Sequence, residues 1–358
     1  LECSTKRMYP DVLSYDRLVQ IEGDYKAPMG CRSFLPKWVD PATGEAINAG
    51  RNNLGVVTLN IPRIAIEARG SKDAFWEIFE ERMQIVKDAL LYRIKRCEDA
   101  TPANAPILYR YGAFGLRAEE SETGVEKFFR GHRATVSMGY IGLYEAATLF
   151  YGPNWEDNPE AKGFTLEILR AMNRYAEAWR ERYPYWFSVY STPSESLTDR
   201  FCRLDREKFG VIADVTDKEY YTNSFHYDVR KKVTPFEKID FEAEYAPLTK
   251  GGFIHYCEYP KLTHNTKALE AVWDYAYDRV AYLGTNTPID RCYECGFEGE
   301  FDPTPEGFAC PECGNDDPDT CDVVKRTCGY LGNPVKRPMV HGRHVEISSR
   351  VKHMDARE

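Results

Sequence analysis

Two C-x-x-C pairs near the end of the chain, Cys292/Cys295 and Cys310/Cys313, constrain the fold more than any other feature of these 358 residues. In CYECGFEGEFDPTPEGFACPEC fourteen residues separate the pairs. Two tight turns joined by a hairpin can therefore bring four thiolates onto one Zn2+ as a tetrahedron. The interval is one residue shorter than is usual for a zinc ribbon, which a flexible hairpin absorbs. With all four positions filled by protein ligands the ion is structural, and no open site is left to activate water. Two disulfides or a redox C-x-x-C are the competing readings. The chain has eleven cysteines, but it is long and shows no charged-then-apolar secretory start, so a reducing cytoplasm is expected.

Upstream of the cysteines the pattern alternates between strand and helix. NLGVVTLNIPRIAIEA is rich in β-branched residues and reads as a buried strand stopping at Pro62. From Ser71, a candidate N-cap, Phe75, Ile78, Phe79, Val86, Leu90 and Ile94 share one helix face. GHRATVSMGYIGLYEAATLFYG gives a strand running into a helix, AKGFTLEILRAMNRYAEAWRERY a helix, WFSVY a strand and TKALEAVWDYAYDRV a further helix. The class is α/β. Helical periodicity fades near Thr285, which divides the chain into an α/β domain (1–285), a zinc ribbon (286–320) and a loop-like tail (321–358). A net charge of −9 disfavours a nucleic-acid footprint, and no apolar run approaches bilayer length. The opening LECSTKRMYPDVLSYD begins without Met and reads like the interior of a larger protein.

Just beyond the cysteines stands KRTCGYLGNP. Glycine there is ordinarily a backbone device. Gly329 has a second capacity: its Cα can lose a hydrogen and flatten, spreading the unpaired electron over the flanking amide nitrogen and carbonyl. A side chain would oppose that planarity.

RTCGYLG, RVKHM near the end, the C-x-x-C pairs, APMGCRSFLP, RNNLGVVTLNIPRIA and YYTNSFH occur in an order that resembles the anaerobic (class III) ribonucleoside-triphosphate reductases, from about Met8 to Met354. Members of that family are about twice as long, so the chain corresponds to their C-terminal half. The resemblance implies half of a ten-stranded α/β barrel with a zinc ribbon and a glycyl-radical loop. It places the radical on Gly329 and the substrate-attacking thiyl on Cys31. Met29, two residues before that cysteine, is the mark of the subgroup that uses formate as reductant. An active-site asparagine follows about twenty residues later; Asn52 and Asn53 are both candidates, and spacing favours Asn52.

In YSTPSESLTDRF, Thr192 as N-cap, Pro193 at N1 and Glu195 at N3 form a capping-box pattern. The helix it starts, with Ser191, Ser194 and Ser196, would offer donors to a triphosphate. Glu195 puts a negative charge there unless the cap occupies it. Within TNSFH, His226 is read as a hydrogen-bonded structural histidine.

The same resemblance implies ribonucleoside triphosphates as substrates and an activating enzyme carrying an iron–sulfur cluster and S-adenosylmethionine. It also implies a homodimer in the complete enzyme, and ATP or deoxynucleotide effectors bound by the N-terminal half, which also carries a second redox cysteine. That half would be a partner if the gene is split. Pyruvate formate-lyase-type enzymes rely on adjacent cysteines, whereas Cys31 lies between Gly30 and Arg32. A non-catalytic interaction subunit or zinc-ribbon binding module remains the alternative of a different class.

Overall fold

The computed structural model describes residues 1–30, 32–327, 329, 331–334, 336 and 339–355. They form two compact units. One comprises Val19–Thr192 with Tyr245–Phe253; the other comprises Leu1–Leu18, Pro193–Glu244 and Ile254 onward.

The Val19–Thr192 unit is built on a parallel sheet in the order Asn53–Asn60, Thr135–Ile141, Trp186–Ser191. Parallel neighbours need crossovers, and helices supply them. Lys72–Glu98 follows the first strand, and Leu143–Tyr151 and Pro159–Arg182 link the second to the third. Every residue of Thr135–Ile141 is buried, as expected of a central strand covered on both faces. Ser71 caps its helix as expected, its Oγ accepting the Ala74 N–H at 3.2 Å. Phe75, Phe79, Val86, Leu90 and Ile94 are buried with Met83, while Ile78 is half-buried. The first strand stops two residues before Pro62. Asn60 accepts the Arg63 N–H through its side chain, and Pro62 lies in the first turn of the helix Ile61–Glu67. Proline there lacks only an N–H that would have no partner within the helix.

The other unit holds a sheet in the order Val12–Leu13, Tyr282–Asn286, His255–Glu258; its first pair is antiparallel and its second parallel. Thr285 lies inside Tyr282–Asn286, so the change of composition marks the end of the strand–helix pattern. The tail is less loop-like than its composition suggests. Short strand pairs build the ribbon and the helix His341–Ser348 follows, its Ile347 packing with Phe301, Phe308 and Val323. No helix among the described residues is long and apolar enough to cross a membrane.

Candidate active site and cysteine cluster

The strand Asp290–Cys292 carries the first thiol, and each C-x-x-C turn is closed by a backbone bond. Gly296 N–H donates to Cys292 O at 3.1 Å, and Gly314 N–H to Cys310 O at 2.8 Å. The four sulfurs lie within 4.8 Å of one another, with Cys292–Cys313 and Cys295–Cys310 each 3.6 Å apart. A disulfide would need about 2.05 Å. Four thiolates at about 2.3 Å from one Zn2+ would sit roughly 3.8 Å from each other, so the donors fit such an ion. The backbone N–H of Cys295 is the largest influence drawing the Cys292 thiol down to about 6, helped by the Asn315 amide. Cys321 faces Cys292 across the strand pair and donates to Asn315 O, which makes it a buttress to the cluster.

Gly329 follows directly. The strands Lys325–Arg326 and Leu331–Gly332 pair on either side of it. Asp290, fully buried, joins this segment to the ribbon: its carboxylate accepts from the N–H groups of Phe301 and Val324 and from Lys325 Nζ. Arg326 is 3 % exposed. It reaches back across the chain to Asp11 and across to Asn286, and donates to the Gly329 carbonyl at 3.4 Å.

Cys31 lies outside the described residues, as does Cys328, but the residues around Cys31 in sequence are fixed. Met29 and Ser33 exchange backbone bonds of 2.7 and 3.2 Å, and Ser33 also bridges Gly252. Ser33 Oγ donates to the Tyr190 hydroxyl at 3.0 Å, and Phe34 N–H to Gly251 O. Gly252 has φ +152°, and a Cβ there would lie 2.4 Å from Arg32 O and 2.5 Å from the Tyr190 ring. Only glycine admits this approach. Met29 is 40 % exposed and Arg32 fully buried.

The two asparagines separate cleanly. Asn53 spends its amide on the sheet, donating to Ser137 Oγ at 2.7 Å and accepting the Gly55 N–H at 2.7 Å. Asn52 is buried, and neither Oδ1 nor Nδ2 has a hydrogen-bond partner among the described residues. A buried amide left this way is costly unless something else meets it.

The capping box expected at Thr192 is not formed, and the helix begins at Leu197 rather than at Pro193. Thr192 Oγ1 pairs instead with Thr58 Oγ1 at 3.0 Å. Ser191 Oγ pairs with the Tyr140 hydroxyl. Ser194 Oγ accepts the Thr198 N–H, and Ser196 is the N-cap residue without a side-chain cap bond. Ser191 and Thr192 fall in one unit, and Ser194, Glu195 and Ser196 in the other. The turn at Ser194 is held by Arg343, which the sequence did not single out, and by one residue of the TNSFH motif. Arg343 donates to the carbonyls of Ser194 and Glu195 and to Thr198 Oγ1, and Asn223 of TNSFH donates to the same Ser194 oxygen. His226 is buried and hydrogen-bonded. It and His255 share the Glu242 carboxylate with Lys238. Burial would raise the Glu242 pKa, but Lys238 and the histidines hold it well below the usual range.

Three comparisons bear on this arrangement. The family described as anaerobic ribonucleoside-triphosphate reductase matches residues 1–353. The protein of that name from Escherichia coli K12 is 53% identical over 355 residues, which is 99% of this chain and 50% of the relative. That from Enterobacteria phage T4 is 47% identical over 359 residues, 99% of this chain and 57% of the relative. The chain thus spans about half the length of the curated relatives it matches. Among solved structures, an anaerobic ribonucleotide reductase superposes with a TM-score of 0.64 at 22% identity, covering 88% of this chain and 47% of that one. The Thermotoga maritima enzyme with glycerol in its active site gives 0.59 at 22% identity, covering 85% and 45%.

Proposed function

The chain belongs to the anaerobic ribonucleoside-triphosphate reductase family, and from that premise we propose that it is the radical-bearing part of an enzyme that replaces the ribose 2′-hydroxyl by hydrogen. An activating enzyme using an iron–sulfur cluster and S-adenosylmethionine removes one hydrogen atom from Gly329. The glycine radical takes the thiol hydrogen of Cys31, and the resulting sulfur radical takes the 3′-hydrogen of the ribose. The 2′-hydroxyl leaves as water and formate leaves as carbon dioxide, supplying the two electrons. One triphosphate and one formic acid therefore give one deoxynucleoside triphosphate, one carbon dioxide and one water. The 3′-hydrogen then returns to the sugar, and the radical returns through Cys31 to Gly329.

The observation that carries this reading is the seat of Gly329, on a strand pair fastened at its base to the four-cysteine ribbon through Asp290 and Lys325. Cys292, Cys295, Cys310 and Cys313 would hold Zn2+, which would supply no redox chemistry and would fix the ribbon. We assign the strands to one half of a ten-stranded α/β barrel, completed by an N-terminal half that brings the effector sites for ATP and deoxynucleotides. The working enzyme is a cytoplasmic homodimer. Met29 and Asn52 serve the formate and ribose site, and the turn from Ser191 to Ser196, Thr192, Ser194 and Glu195 included, lies against the substrate triphosphate.

The test is anaerobic activation of the chain together with its N-terminal half. A glycine-centred paramagnetic doublet and conversion of labelled ribonucleoside triphosphate are expected; a complete enzyme giving neither would sink the reading in favour of a non-catalytic subunit.

Asn52 offers a finer check. Asn52→Ala is expected to lower kcat/KM about a hundredfold, because bonds to a buried site lost in the transition state cost about 1.4 kcal/mol per tenfold. It should leave stability nearly unchanged. Asn53→Ala should do the reverse, costing about 1 kcal/mol of stability through its two lost sheet contacts. Steady-state kinetics and thermal melts of both variants separate the roles.

A further inference from the structure

Arg326 uses all five of its N–H donors. Nε donates to Asn286 Oδ1 at 2.6 Å; one terminal nitrogen donates to Asp11 Oδ2 at 3.2 Å and Gly329 O at 3.4 Å, the other to Asp11 Oδ1 at 2.7 Å and Met8 O at 3.1 Å. A guanidinium has five such donors in a rigid plane, and a lysine ammonium has only three. The fork is itself braced. Asn286 donates to Glu258, which lies 3.4 Å from Arg350, and Arg350 donates to the Arg326 carbonyl at 2.8 Å. Asp11 carries two of the five bonds from a position 315 residues away in sequence.

We propose that Asp11 is a positioning residue for the radical glycine: its carboxylate fixes the Arg326 guanidinium, and Arg326 fixes the Gly329 carbonyl. The inference rests on the functional reading above and extends it. An unpaired electron on Gly329 Cα is stabilised only while Cα, the preceding amide nitrogen and the Gly329 carbonyl stay in one plane. A guanidinium bonded to that carbonyl holds the plane and draws electron density toward the oxygen. With Asn at position 11 one acceptor oxygen is replaced by an N–H donor facing the guanidinium, so Arg326 keeps its charge but loses at least one of the two Asp11 contacts, and the carbonyl is held less firmly. Asp11 touches neither sugar nor phosphate in this scheme, which separates its effect from that of a substrate-binding residue.

The test compares Asp11→Asn with the wild-type sequence in the complete reductase, activated anaerobically. The doublet of Asp11→Asn is expected to decay about tenfold faster with altered hyperfine splitting, while KM for the ribonucleotide stays within twofold and metal content is unchanged. A doublet identical in lifetime and splitting would overturn the inference. Should Asp11→Asn fail to accumulate, Arg326→Lys carries the same test, since lysine cannot reproduce the fork; an unchanged doublet there overturns it equally. A wild-type complex with no glycine doublet would instead remove the functional reading, and this inference with it.

Discussion

Gly329→Ala is expected to erase the paramagnetic doublet and all deoxyribonucleotide formation, whereas Cys31→Ser is expected to keep the doublet and lose only turnover. Two different bonds are at issue. At position 329 a methyl group crowds the flat arrangement that spreads the spin over the peptide, in a segment whose carbonyl is already tied to Arg326. At position 31 serine keeps the shape but replaces a weak S–H bond by a strong O–H bond, which a glycine radical cannot open. Each ~1.4 kcal/mol added to a barrier costs tenfold in rate, so both variants should fall more than about a thousandfold in turnover. Only the first should be silent in electron paramagnetic resonance. A Cys31→Ser enzyme that still turned over would place the hydrogen-abstracting thiol elsewhere. The melting temperature of Gly329→Ala should stay close to wild type, since Gly329 is only half-buried and has no side chain to lose.

The features legible in the sequence were those fixed by neighbours a few residues apart. The cysteine cluster depends on two short turns and one hairpin, and the spacing alone placed all four sulfurs together. Ser71 and its helix were legible because the cap and the apolar stripe lie in one continuous stretch. The helix expected at Pro193 failed for the opposite reason. Its cap residue Thr192 is occupied by Thr58, 134 residues earlier, and local chemistry cannot see a competitor across a sheet. Spacing leans to Asn52 over Asn53 without separating them, and the strand geometry that gives Asn53 to Ser137 is what distinguishes their surroundings. Asp11, Gly252 and Arg343 carried no motif signal at all. The first lies 315 residues from its partner, the second is a glycine among many, and the third sits in a stretch that read as loop.

Removing the metal is expected to have the largest effect on stability, confined to the ribbon and the segment it supports. The small core of Phe301, Phe308, Val323 and Ile347 cannot hold short two-residue strands by itself, and structural zinc contributes about 10–16 kcal/mol in comparable small modules. Cys310→Ser, or treatment with a strong chelator, should release one zinc per chain and open residues 293–324 to protease. Loss of the ribbon also frees Asp290, whose carboxylate joins Phe301, Val324 and Lys325. The strand Lys325–Arg326 then loses its anchor, and the seat of Gly329 with it. Radical yield after activation should therefore fall more than about tenfold in the metal-free protein. The sheet of Asn53–Asn60, Thr135–Ile141 and Trp186–Ser191, which shares no residue with the ribbon, should keep its amide-exchange protection. Full radical yield in protein shown by metal analysis to be free of zinc would mean that the ribbon does not hold the radical loop in place.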